Sequence, residues 1–287
     1  MSDNLMSRRK FLVSAGTVAA AAGLAGVGLA KSAQPAAAVT AAAALPWPYP
    51  TTSEEQPDPE ILARHAYEVY YAAGCAEATW YPIVEFLAKK SDTDPKYAPW
   101  AALPLGVFRF GGGGVASWGT ICGTCNGSAA IIAMTGASSK ITDEVLQYYG
   151  ETPLPTNGMD KARVEGWTPS AFGGKTAPIP STNVPTSTAH SQLCHASLSQ
   201  WTKTTGADDG SAEQKDRCAK ACHDMVLQTT TLLNAYWLDN AKVAPAGALD
   251  DMVAGCGAVA NGCHSSAKGK MACDSCHDET GSGPHGN

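Results

Sequence analysis

Ten cysteines and seven histidines are spread through 287 residues, and four of the histidines directly follow a cysteine: His195, His223, His264 and His277. The tightest grouping, Cys273-Asp274-Ser275-Cys276-His277, matches C-x-x-C-H. In that motif two thiols add across the vinyl groups of a haem, and the adjacent histidine is placed to ligate its iron. Half of a zinc site would use the same residues. Cys256-x6-Cys263-His264, just upstream, keeps the Cys-His pair but lengthens the loop between thiols. If the loop bulges away from the porphyrin it is a second haem site; the plainer alternative is a Cys256–Cys263 disulfide with His264 at the surface. Cys218-x3-Cys222-His223 is a third arrangement. On a helix Cys218 and Cys222 share a face, which suits two metal ligands, or one ligand and one packing thiol, better than haem attachment.

Cys75, Cys122, Cys125 and Cys194 complete the set. Cys122-Gly123-Thr124-Cys125 follows a glycine loop at an expected helix start, where the helix dipole and free N–H groups favour thiolate and would hydrogen-bond cluster sulfides. Redox disulfides, zinc and iron–sulfur sites all use C-x-x-C, and any one buried cysteine can simply be a small apolar side chain.

These residues must be positioned mainly by helices. Asp58-Pro59-Glu60 offers an N-cap, a first-turn proline and a first-turn acid, predicting a helix from Pro59 to about Ala72. Gly74 breaks it before a second helix, Cys75 to Lys89. Gly111–Gly114 is a permissive loop, and the apolar run Ala129 to Met134 predicts a buried helix. Thr142 can cap a short helix to Tyr149. Residues 151–188 are rich in Pro, Thr, Ser and Gly and read as loop. Helical patterning resumes from His190 to Thr204, and the capping box at Ser211–Gln214 opens a helix reaching to about Asn240. The fold class is therefore mainly α: a helical cluster-binding domain over residues 59–245, then a C-terminal segment, 246–287, ordered by haem. From Ala254 onward there is no Leu, Ile, Phe, Trp or Tyr, too little apolar surface for that tail to fold alone.

The N-terminus reads as an address. Ser7-Arg8-Arg9-Lys10-Phe11-Leu12 resembles the twin-arginine export signal, with a mildly apolar stretch to Ala30 and a small-residue cleavage region at Ala36–Ala38. An uncleaved anchor is the competing reading, weakened by the Gly and Ala content. Residues 1–38 are thus a signal peptide and 39–58 a proline-rich linker. Removing 1–38 leaves 16 basic against 25 acidic residues, a net charge of −9, where the whole chain has −6. That balance excludes a strongly basic nucleic-acid binder and fits a soluble periplasmic protein with no stable membrane insertion after cleavage. The alanine excess belongs largely to this segment: 15 alanines lie between Phe11 and Ala44.

Taken in order, the motifs resemble the cysteine-motif family written C-GCAxxG-C-C and, within it, the split-Soret cytochromes c. The likeness runs through Gly74-Cys75-Ala76, Gly113–Gly127 with its two cysteines, Leu193-Cys194-His195, Arg217-Cys218, Gly262-Cys263-His264 and Gly269–His277. It implies a homodimer carrying two stacked, bis-histidine c-type haems per subunit, with one axial histidine of each haem supplied by the partner subunit. It also implies a separate iron–sulfur centre held by Cys75, Cys122, Cys194 and Cys218. Cys125 and Cys222 depart from that pattern, as additional ligands or a disulfide. Haem attachment falls to Cys273, Cys276 and His277 and to Cys256, Cys263 and His264. The distal axial positions fall to His195 and His190, with His223 as rival; His65 reads as an ordinary surface or packing histidine and His285 as disordered.

Such haems leave no open iron position, so the reading is electron transfer between redox partner proteins, not catalysis. Two rivals stand beside it: a multihaem oxidoreductase reducing a small oxyanion or thiol compound, and an exported binding module stapled by zinc or disulfides.

Overall fold

The computed structural model describes residues 45–104, 106–156 and 158–244. The export signal and the Cys256–His264 and Cys273–His277 motifs lie outside them.

The described chain is built from helices. Helix α1 spans Pro59–Ala73 and begins as its sequence requires: the Asp58 carboxylate accepts from the N–H groups of Glu60 and Ile61, and Pro59 occupies the first turn. Gly74, at φ 82°, turns the chain straight into α2, Cys75–Lys89. A short helix, α3 (Ala98–Ala101), follows. Helix α4, Gly123–Thr135, ends on left-handed Gly136. Helix α5 runs Ser139–Glu151. Its cap is Ser138, whose hydroxyl accepts from Lys140 N–H, and not Thr142, which lies inside the helix. Gly136 stops α4 so early that the next turn can start at once.

Residues 151–188 are mostly loop, as composition implies, but they hold α6, Gly158–Val164, and a hairpin of β1 (Ala171–Phe172) with β2 (Lys175–Thr176), paired antiparallel. Helix α7 starts at Cys194, not His190, and runs to Thr205. His190 stands at φ 48°, and the residues after it bend before Leu193 pairs with Ile121. Helix α8, Ala212–Trp237, gives way to a 3₁₀ turn at Leu238–Asn240. Its capping box is offset by one residue: Ser211 Oγ accepts from Gln214 N–H at 3.1 Å, while Gln214 Oε1 accepts from Gly210 N–H at 2.8 Å.

Helices α1, α2, α4 and α8 pack around a core that includes Leu62, Trp80, Ile83, Ile131, Met225 and Leu233, all buried. Apolar burial of this kind supplies most of the drive for folding. Residues 45–58 of the proline-rich segment run irregularly, with a turn at Thr52–Gln56, and pack against the helices. Trp47 N–H donates to Met134 O, Trp100 Nε1 to Pro48 O, and the buried Tyr49 hydroxyl to Asn234 Oδ1. Among the described residues no helix is long and apolar enough to cross a membrane.

Candidate metal centre

Three helix N-termini converge on one buried place. Cys75 is the first residue of α2, Cys122 the N-cap of α4, and Cys194 the first residue of α7. Helix α8 adds Cys218 and Cys222 one turn apart, and Cys125 lies in the first turn of α4. All six are buried free thiols; in particular, Cys125 and Cys222 are not bridged.

Local sequence explains the convergence. Gly123 and Gly127 let α4 approach α2 so closely that a Cβ on Gly123 would lie 2.8 Å from the Cys75 Cβ. An isolated antiparallel bridge joins Ile121 to Leu193; Cys122 N–H donates to Gln192 O and Cys194 N–H to Thr120 O. That bridge draws the Cys122 and Cys194 sulfurs into contact. The buried Glu77 carboxylate accepts from the N–H groups of Gly106 and Phe108 and anchors the loop leading back to the site.

The loop itself is wound against the usual hand. Gly113, Gly114, Val115, Ala116 and Ser117 all have φ between 50° and 66°, a conformation that costs roughly 1–2 kcal/mol per non-glycine residue. Its glycines are needed sterically: a Cβ on Gly114 would lie 2.9 Å from the Cys194 Cβ, and one on Gly119 would lie 2.9 Å from the His195 Cβ.

The thiols run in series, Cys194 against Cys122, Cys122 against Cys75, Cys75 against Cys222. Within this run Cys122 is held well below the ordinary thiol range, because it accepts from Cys194 and Cys75 and from the Thr124 hydroxyl at 3.3 Å. Cys75 and Cys194, the donors, are pushed up, chiefly by those same contacts. Cys125 is raised by burial. Cys218 is also raised by burial, a trend that Arg217 opposes. The Tyr149 hydroxyl, buried and otherwise unpartnered, faces Cys122, and Tyr70 faces Cys218. Among the described residues no three Cys, His, Asp or Glu side chains stand as a ready shell for a single metal ion.

The donor set nonetheless fits a thiolate-bound metal centre. Thiolates are soft ligands that select zinc, copper(I) and iron–sulfur clusters, and three helix N-termini give these sulfurs a positive surround. Arg217 adds a full positive charge and is 3% exposed. Sequence reasoning passed over it, since an arginine on a helix next to a cysteine carries no signal of its burial.

The histidines separate cleanly. His195 is exposed beside the thiols, and its Nδ1 lies 2.8 Å from Gly119 O. A carbonyl can only accept, so Nδ1 carries the proton and Nε2 the lone pair, the arrangement typical of metal-ligating imidazoles. His190 is also exposed. His223 is fully buried, with Nδ1 at 3.1 Å from Asp224 Oδ1 and Nε2 at 3.7 Å from Glu60 Oε1. His65 lies between Glu68 and Glu85, at 2.8 and 3.4 Å, the packing role expected of it. The loop against His195 exposes apolar side chains: Val115, Trp118 and Ile121 are exposed, Trp118 at 82%.

The helical domain thus sets a buried, carboxylate-free group of thiols, the donors a thiolate metal centre would use, beside an outward-facing histidine. Comparison with known proteins carries this further. No family model matches the chain. It is 27% identical over 237 residues to the split-Soret cytochrome c of Desulfovibrio desulfuricans, covering 78% of this chain and 76% of that protein. The fold is similar to a solved structure, described as showing a novel iron centre in that same cytochrome, with a TM-score of 0.63 and 25% identity. That likeness covers 81% of this chain and 90% of the other. The resemblance seen in the motifs thus extends along most of the chain, in sequence and in fold.

Proposed function

We propose that the protein is a periplasmic electron-transfer cytochrome with two covalently attached c-type haems and an iron–sulfur centre. The observation that carries this is the juxtaposition of a buried thiol cluster, lacking any carboxylate, with the exposed, tautomer-fixed His195. The likeness to split-Soret cytochrome c supports it. In this reading Cys75, Cys122, Cys194 and Cys218 hold the iron–sulfur centre. The sulfurs' run in series, and not in a closed shell, suits a polynuclear centre with bridging sulfides better than a single zinc ion. When bound, the haems and centre supply one-electron chemistry; the chain's own groups hold them, exclude water and set their potentials.

His195 and His190 are the distal axial ligands. His223 is set aside because its ring is enclosed between Asp224 and Glu60. The same enclosure argues against haem attachment at Cys218 and Cys222 and favours Cys256, Cys263 and His264 beside Cys273, Cys276 and His277. The apolar surface around Trp118 supports a homodimer, in which each subunit offers histidine to its partner's haem across that face. Export follows the twin-arginine route, and the redox partners are other proteins.

The test is a census of the exported protein: covalent haem, total iron and acid-labile sulfide per chain. Two haems with additional non-haem iron and sulfide are expected. A single haem removes Cys256, Cys263 and His264 from the account, and zinc without haem overturns the reading. Failure to bind CO or cyanide at neutral pH separates electron transfer from a haem-dependent reductase.

A further inference from the structure

Arg217 is buried to 3% exposure and has no carboxylate partner among the described residues. Its Nη2 donates to Ser197 Oγ at 2.6 Å and its Nη1 toward Cys218 Sγ at 3.9 Å, while Nε donates to nothing. An isolated buried guanidinium is strongly unfavourable unless an anion neutralises it. Among the described residues no carboxylate pairs with it, and its hydrogen-bond partners are the Ser197 hydroxyl and the Cys218 sulfur.

Two thiols on the same helix differ in what they face. Cys218 Sγ receives Arg217 Nη1 and also Gln214 Nε2, at 3.7 Å, with the Tyr70 hydroxyl against it. Several donors on one sulfur suit an anion. Cys222 Sγ instead lies 3.9 Å from the Cys75 carbonyl oxygen and receives neither Arg217 nor Gln214. Gln214 ties this to the fold: its Oε1 completes the cap of α8 on Gly210, leaving Nε2 fixed toward Cys218.

We propose that Arg217 is the resident counter-charge of the thiolate centre, acting through Cys218 as a positioning residue that raises the centre's reduction potential. The inference rests on the iron–sulfur reading and adds to it a residue that ligates nothing. A fixed positive charge stabilises whichever state is more negative, and reduction adds negative charge. Removing that charge therefore makes reduction harder.

The experiment uses the full exported, haem-loaded protein and its Arg217→Met and Arg217→Lys variants. The readouts are non-haem iron and sulfide per chain and the centre's midpoint potential by EPR-monitored titration. Arg217→Met should make one-electron reduction roughly tenfold less favourable, a shift of about 59 mV downward. Arg217→Lys should recover most of the shift. Loss of iron in Arg217→Met but not in Arg217→Lys would equally support the proposal. Equal loss in both, or an unchanged potential in fully loaded Arg217→Met, overturns it. Wild-type protein with haem but no non-haem iron overturns the iron–sulfur reading and the inference together.

Discussion

Lys220 and Arg217 are neighbours on α8 and almost equally buried, at 1% and 3% exposure, yet their surroundings are opposite. Lys220 donates to Asp160 Oδ1 at 2.8 Å and to the Ser181 carbonyl. On the same flank His223 has Asp224 and Glu60, and Asp224 also accepts from the N–H and hydroxyl of Thr156, each at 2.6 Å. Arg217 has sulfurs and a serine. One flank of the helix is electrically closed by the protein's own carboxylates. The other leaves a positive charge to be closed by something the chain must acquire.

The largest expected effect tests the closed flank. Lys220→Met strands Asp160 and the Ser181 carbonyl and should destabilise the domain by about 3 kcal/mol, read as a lower denaturant midpoint. Its iron and haem content should match wild type; a loss of iron would mean that the two flanks are not independent. A smaller effect tests the open flank. Stripping non-haem iron with a chelator should lower the melting temperature more in wild type than in Arg217→Met, a coupling of about 1–2 kcal/mol. Equal losses would show that Arg217 and the centre do not interact.

The smallest effect lies on a third cluster, between α1 and α2, where solvent weakens the pairing. Burial works against a charged His65, but Glu68 and Glu85 outweigh it and raise the imidazole to about 9. Its hydrogen bond in turn is the main cause holding Glu85 down to about 2. The His65 contribution is complete below its unfolded value of 6.5 and fades as pH climbs toward about 9. That of Glu85 is complete above 4.5 and fades as pH falls toward about 2. Stability from this cluster should therefore be greatest between those two unfolded values. After screening, on the order of 1 kcal/mol should be lost on the alkaline side, and His65→Gln should flatten that limb.

Much of the scaffold is legible before folding because it is written in local chemistry. Asp58, Gly74 and Ser211 each mark a helix boundary through a backbone requirement that few residues meet, and the helices α1, α2 and α8 start where these stand. The cysteines of the described residues that the motifs singled out likewise come together, with Cys75, Cys122, Cys194 and Cys222 in contact. What escaped depends on tertiary burial. Arg217, Lys220, His223 and Asp224 are all buried on α8, so the polar face that would ordinarily mark solvent is absent, and sequence periodicity cannot separate the two flanks. The docking of Trp47 and Tyr49 is hidden for the same reason: proline-rich composition specifies an extended backbone but not what lies beside it.

The glycine run before Cys122 predicted a permissive loop, and the handedness of that loop sets how it can move. For its non-glycine residues Val115, Ala116 and Ser117, the left-handed well is separated from the right-handed and extended ones by a sterically forbidden zone. The segment therefore cannot flex smoothly, as a hinge would; each of these residues must cross its own barrier. Pressed against Cys194 and His195, it behaves as a mirror-image key cut for one lock, holding a buried sulfur and a surface imidazole at a fixed separation.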